Sequence, residues 1–307
     1  MNIRIKKIYR YLPSQVEKLD DLCKQNKNWN KKKIISKTGI LKKRIAKKNQ
    51  SIKDLLLGLK KKNKIQELKD CGLIILVTQT PHYTIPSNAN YLQNIFKLKQ
   101  NCIAFDLNQG CSGYIYGLAT SLSLMKQFGI KKAALITCDT YTKFISKSNR
   151  ACRTVFGDAA TLSILEKSNK KHFLGFKLGS DGSGFKNFIL DRGEITMNGP
   201  EMFNFAKNNI PKDINSIIKN SNINKNHIKY FILHQASKII LDTLGSELNI
   251  SKKKLFKNLF NLGNTVSSTI PLALYDLFKQ RKIKRKDLLV MSGFGVGYSW
   301  GSCIYKH

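Results

Sequence analysis

Three apolar runs of strand length set the fold class: Gly72-Leu-Ile-Ile-Leu-Val-Thr-Gln79, Cys102-Ile-Ala-Phe-Asp-Leu-Asn108 and Ala133-Ala-Leu-Ile-Thr-Cys138. A strand that is apolar on both faces has to be covered on both, and the long intervals between these runs have helical spacing. The sequence therefore implies a layered α/β sheet. Further strands are expected at Ala160–Glu166 and His172–Gly179, and Gly179-Ser-Asp-Gly-Ser-Gly184 reads as a loop. The second half restarts the same grammar. Helical segments near Met202–Phe205 and Ile214–Ile218 precede strands at Tyr230–Leu233, Leu288–Met291 and Ser302–Tyr305. No sequence repeat is visible, yet this order predicts a duplicated architecture, halves 1–166 and 167–307. Residues 1–70 are rich in Lys and Asn and read as helical patches. The clearest is Ser51–Lys60, where Ile52, Leu55, Leu56 and Leu59 recur at helical spacing.

At 307 residues the chain has length for two packed units, and 42% hydrophobic against 24% charged residues excludes a disordered chain. Its apolar runs are too short to span a membrane. The first ten residues are basic with no apolar stretch after them, so the expected location is the cytoplasm. A formal charge of +35 points towards nucleic acid, an anionic membrane surface or an acidic protein partner. Only eight of the 54 basic residues are Arg, and the lysines are interleaved with Asn and Ile along the whole chain. That is a global bias more than a reading groove, and no helix-turn-helix, zinc-finger or RNP pattern accompanies it, which disfavours nucleic acid. The seven cysteines form no C-x-x-C pair and the five histidines have no metal-ligand spacing, so neither a disulfide frame nor a metal site is expected.

Cys111 stands apart from the other thiols. In Asp106-Leu-Asn-Gln-Gly-Cys-Ser-Gly-Tyr-Ile-Tyr-Gly-Leu118 it follows an apolar strand and a Gln-Gly turn and precedes an amphipathic helix. Free N–H groups and the positive end of the helix dipole favour thiolate there, so the position suits a nucleophile. A core cysteine packed at a strand–helix junction fits the same spacing equally well. His234, in Ile232-Leu-His-Gln-Ala-Ser237, ends an apolar strand, and Asn264, in Asn261-Leu-Gly-Asn-Thr-Val-Ser-Ser268, sits in a Gly-containing turn before a helix. Taken singly, the first reads as a satisfied core histidine and the second as a turn former or cap.

Taken in order, these fragments resemble the β-ketoacyl-acyl-carrier-protein synthase III family of thiolase-fold condensing enzymes. The resemblance runs through Lys37-Thr-Gly-Ile40, Phe105-Asp-Leu-Asn-Gln-Gly-Cys-Ser-Gly113, Phe156-Gly-Asp-Ala-Ala160, His234-Gln-Ala236, Gly263-Asn-Thr265 and Gly293-Phe-Gly-Val-Gly-Tyr-Ser-Trp-Gly-Ser302. It implies an α/β thiolase-like fold, two halves stacked in five layers α-β-α-β-α, and a catalytic triad of Cys111, His234 and Asn264. It also implies an oxyanion hole from the backbone N–H groups of Cys111 and Val296, the latter a Val where the family commonly has Gly. Phe294 falls on the aromatic residue that screens the site. The acyl pocket would be closed across a homodimer by Pro81-His-Tyr-Thr-Ile-Pro86, with Tyr83 and Ile85 as chain-length gates and residues 88–108 at the dimer contact.

The same resemblance puts Arg150, Lys37 and Trp29 at the coenzyme A entrance. Trp29 is four residues out of register with the family's stacking Trp, and Lys33 and Lys37 hold the positions that would match. An acidic acyl carrier protein is the implied partner, with Lys238 on its docking helix. Substrates would be acyl-coenzyme A or acyl-carrier-protein phosphopantetheine thioesters, with no permanently bound cofactor. The implied activity is acyl transfer to Cys111 followed by decarboxylative Claisen condensation with a malonyl thioester, in fatty-acid initiation or a related pathway. Two alternatives stay open: transfer of the same acyl group to an amine or hydroxyl in surface-polysaccharide or specialised-metabolite synthesis, and a noncatalytic basic protein that binds nucleic acid. Thiolase proper is disfavoured because it needs a second catalytic Cys in the C-terminal Gly-rich turn, and Cys303 lies past that turn.

Overall fold

A computed structural model describes residues 1–63 and 65–307. Its strands are β1 (Asn2–Tyr11), β2 (Gln15–Lys18), β3 (Lys42–Ile45), β4 (Leu73–Val77), β5 (Ile103–Leu107), β6 (Lys132–Asp139), β7 (Ala159–Ser168), β8 (Phe173–Ser180), β9 (Phe188–Asp191), β10 (Glu194–Met197), β11 (Ile228–Leu233), β12 (Leu288–Gly295) and β13 (Ser299–Lys306). The helices are α1 (Leu19–Gln25), α2 (Lys31–Thr38), α3 (Ile52–Asn63), α4 (Asn88–Ile95), α5 (Gly113–Gln127), α6 (Arg150–Arg153), α7 (Gly199–Asn220), α8 (Lys238–Glu247) and α9 (Thr269–Lys279).

Of the three runs apolar on both faces, β4 and β6 become interior strands of one sheet, whereas β5 lies at its edge and is only half-buried, with no strand beyond it among the described residues to cover that side. This sheet has the order β1-β7-β6-β4-β5, with β4 parallel to both β5 and β6; a second has the order β11-β12-β13-β8. Between them lie α5 and α9. Tyr114, Ile115 and Leu118 of α5 and Ile270, Leu274 and Leu277 of α9 share one buried cluster with Leu73, Val77 and Leu135 of the first sheet and Leu289 and Met291 of the second. Leu55, Leu56 and Leu59 of α3 and Leu92 of α4 cover the outer face of the first sheet, and Ile210, Ile214 and Ile217 of α7 with Leu241 and Leu244 of α8 cover the second. The result is five layers, helix–sheet–helix–sheet–helix.

Three expectations change. Residues 2–11 form a strand antiparallel to β7, not a helical patch; Ile3 and Ile5 alternate inward, then a register shift between Ile5 and Lys7 moves the buried phase to Ile8 and hides the period. Met202–Phe205 and Ile214–Ile218 belong to one 22-residue helix that runs through the buried Pro211. Strand β7 passes through residue 166, so the chain crosses between the sheets in the turn at 169–172.

Candidate active site

Strand β5 delivers Cys111 through the turn that precedes α5. Helix α5 presses close to the first sheet: a methyl group on Gly113 would fall 2.4 Å from Val77 Cγ1, so only glycine allows that approach. Cys111 is 5% exposed and faces a cavity of about 1030 Å³ that His234, Asn264 and Phe294 also line. The turn between β12 and β13 closes over the sulfur. The Val296 N–H donates towards it, and a side chain on Gly295 would come within 3.0 Å of it. Ser299 ties this turn to the one that carries Cys111, with its Oγ 2.7 Å from Ser112 Oγ, 2.8 Å from Val296 O and 3.2 Å from Gln109 Oε1. The sequence reading missed Ser299, because its role depends on two turns nearly two hundred residues apart.

Burial pushes the Cys111 thiol up to about 12, against the pull of the Val296 and Cys111 N–H groups. Among these influences burial is the largest, and it acts against the thiolate that the N–H groups favour.

His234 follows the last residue of β11 and is pinned by its N–H to Ser292 O at 2.8 Å. Its Nδ1 lies 2.7 Å from Thr269 Oγ1, and Nε2 has no protein partner among the described residues. Burial holds the imidazole near 3, so it is neutral at ordinary pH. Phe294 packs edge-on against it, with centroids 5.6 Å apart at 89°. Asn264 forms a bridge with Phe156: its N–H donates to Val155 O and its C=O accepts from Gly157 N–H, both at 2.9 Å. Its Oδ1 accepts the Val266 N–H at 2.9 Å, which leaves the NH₂ group for the cavity. Beneath this segment the buried Asp139 accepts from Ser267 Oγ at 2.5 Å and from Gln79 N–H at 2.8 Å, and burial raises its carboxyl to about 7.

At the mouth, Lys37 and Arg150 line the cavity, together with Lys33 and Ile239. Trp29 does not. Asn30 caps α2 by accepting from Lys33 N–H, and Trp29 turns into a satellite cluster with Leu19, Leu22 and Ile34, so the expectation that it reaches the entrance is corrected. Tyr83 and Ile85 lie outside this chain's cavity lining, and Ile85 is 88% exposed. Lys238, half-exposed, bonds Asp242 at 2.7 Å, and Lys257 pairs with the same carboxylate. Among the described residues no group of three or more His, Cys, Asp or Glu is placed to hold a metal ion, and no helix is long and apolar enough to cross a membrane.

Residues 105–182 match the family model described as 3-oxoacyl-[acyl-carrier-protein] synthase III, and residues 218–307 match the one for its C-terminal part. The beta-ketoacyl-[acyl-carrier-protein] synthase III of Streptococcus agalactiae is 32% identical over 330 residues, covering 99% of this chain and 98% of that protein. This chain belongs to the synthase III family. The synthase III of Prochlorococcus marinus is 31% identical across 96% of this chain and 94% of its own. The crystal structure of the Aquifex aeolicus synthase III superposes with a TM-score of 0.91 at 29% identity, covering 100% of both chains. As a synthase III, the chain has the thiolase-like fold and is a condensing acyltransferase.

Proposed function

We propose that the two half-reactions of a synthase III run through Cys111, His234 and Asn264 in this one cavity. The observation that carries the reading is the convergence of a sulfur under the Val296 N–H with two uncharged donors, the His234 imidazole and the Asn264 amide. In the first half-reaction the Cys111 sulfur attacks the carbonyl of an acyl thioester, carried on coenzyme A or on the phosphopantetheine of an acyl carrier protein. The oxyanion is held by the N–H groups of Cys111 and Val296, and the thiol proton leaves with the departing pantetheine thiol. In the second, a malonyl thioester loses carbon dioxide. The electron pair of the broken C–C bond passes into an enolate, which adds to the acyl-cysteine carbonyl and expels the sulfur as a thiolate that takes up one proton from solvent. His234 Nε2–H and the Asn264 NH₂ stabilise the enolate oxygen, and being neutral they carry no charge into a dry pocket. Phe294 keeps water off the imidazole.

Lys37 and Arg150 suit the phosphates of the incoming carrier group, and the surplus positive charge suits an acidic carrier protein. Lys238 offers that carrier a charge already shared with Asp242. A homodimer is supported by β5, an edge strand with the apolar Ile103, Phe105 and Leu107 half-exposed, a surface that invites a second copy. Across it, the exposed Ile85 and neighbouring Tyr83 would reach the partner's pocket as gates. Seven free thiols suit the reducing cytoplasm. The two sheets support a reading of the chain as duplicated halves that meet in the turn at 169–172, each giving part of the site.

The test is intact mass spectrometry after incubation with a panel of acyl-coenzyme A and acyl-carrier thioesters, then with malonyl-carrier. An adduct on Cys111 that is discharged with release of carbon dioxide is the expected result. An adduct that survives malonyl-carrier but transfers to an amine or hydroxyl would establish the other acceptor chemistry, and an adduct persisting in Cys111→Ala would end the reading.

A further inference from the structure

Segment 264–269 turns two separate donors towards one cavity, and its last residue has no role in the chemistry above. Asn264 is oriented by the backbone, through Val266 N–H to its Oδ1. His234 is oriented by a side chain. A neutral imidazole carries a single N–H, and the group facing one nitrogen decides which of the two holds it. The partner of Nδ1 is Thr269 Oγ1 at 2.7 Å, with both residues buried.

A threonine hydroxyl also has one proton, and two acceptors lie within its reach: His234 Nδ1 at 2.7 Å and Val266 O at 3.1 Å. Val266 O already accepts the Thr269 backbone N–H, whereas Nδ1 has no other donor among the described residues. The closer and otherwise unserved acceptor takes the proton. We propose that Thr269 is a positioning residue that donates its hydroxyl to His234 Nδ1, so that the imidazole proton is fixed on Nε2, the nitrogen without a protein partner. The opposite tautomer would aim a lone pair at the enolate oxygen and oppose the loss of carbon dioxide. Burial keeps the ring uncharged, so a tautomer choice exists to be made. The hydroxyl is held in place because Ser267 bonds Asp139 at 2.5 Å and Ser268 bonds Thr137 at 2.8 Å, which anchors the residues just before it to β6.

This inference rests on the reading of His234 and Asn264 as the donor pair, and the experiment separates the two. Long-range proton–nitrogen spectra of the full chain labelled with ¹⁵N-histidine should show His234 protonated at Nε2 in the unaltered protein; a proton on Nδ1 would overturn the proposal without any variant. In Thr269→Val, acylation of Cys111 should stay within about twofold while malonyl decarboxylation falls about tenfold, the factor a lost neutral hydrogen bond carries. Thr269→Ser should restore both the rate and the spectrum. Unchanged decarboxylation in Thr269→Val, with His234→Ala inactive, would sink the role of Thr269 alone. Unchanged decarboxylation in His234→Ala would sink the donor pair itself.

Discussion

Replacing Gly263 by Ala should disable condensation while sparing acylation. Gly263 has φ +74°, a left-handed conformation that costs a residue with Cβ about 1–2 kcal/mol. The new methyl would also stand 2.8 Å from Val155 O. That contact is with backbone, so the methyl cannot be relieved by a rotamer change; one chain has to back away from the other. Two hydrogen bonds hold them together at this point, Asn264 N–H to Val155 O and Gly157 N–H to Asn264 O, each 2.9 Å. Weakening both adds about 1–3 kcal/mol, giving about 2–5 kcal/mol of lost stability in all. The same retreat carries Asn264 away from the cavity, and the loss of one oxyanion donor typically lowers a rate by about 10²–10³. Urea denaturation would measure the first effect. Single-turnover labelling of Cys111, compared with carbon dioxide release from malonyl-carrier, would measure the second. Wild-type condensation in a variant destabilised by this amount would refute the link between the Phe156–Asn264 bridge and the placement of the amide.

Asp139→Asn addresses a buried carboxyl raised to about 7 from its usual 3.8. Such a group favours the folded state fully below its unfolded pKa and progressively less as pH rises through 7, so about 4 kcal/mol separates pH 4 from pH 8. Urea titrations should show that pH slope in the unaltered protein and its loss in the variant; parallel slopes would refute the assignment. Alkylation of Cys111 should speed up about tenfold per pH unit from pH 7 to 9, because the thiol stays protonated throughout, and a plateau below pH 8.5 would contradict the burial argument. Glu17→Gln should destabilise the protein by about 3–5 kcal/mol, since it strands the buried Lys43 and Arg153 that Glu17 pairs at 2.7 and 2.5 Å; a melting temperature within a degree of the parent would show that the two cations do not depend on it.

What could be read from the sequence is what local pattern alone decides. Leu73–Val77 and Ala133–Cys138 are apolar on both faces, so their burial between helices followed directly, and Cys111 and His234 stand at strand ends where chemistry is usually found. Strand β1 was hidden because its inward residues change phase at Lys7 among surface lysines. The segments near Met202–Phe205 and Ile214–Ile218 read as separate, and the one helix that joins them passes through a buried Pro211 held by tertiary packing. Trp29 has the right residue type for stacking but the wrong direction, which the cap at Asn30 settles. Thr269 lies just past the Asn261–Ser268 motif and Ser299 inside the Gly293–Ser302 one, but neither is singled out there. Each meets its partner 35 or 187 residues away, a pairing that local pattern does not show.

The pairing of Phe156 with Asn264 makes two distant stretches of this polypeptide mutually dependent in their geometry. A fragment stopping before the second sheet would keep the sulfur but lose every partner for it, and the complementary fragment would keep both amide and imidazole with nothing to act on. Residues 155–157 and 263–264 meet backbone to backbone at one seam, so a change of shape on either side is passed to the other.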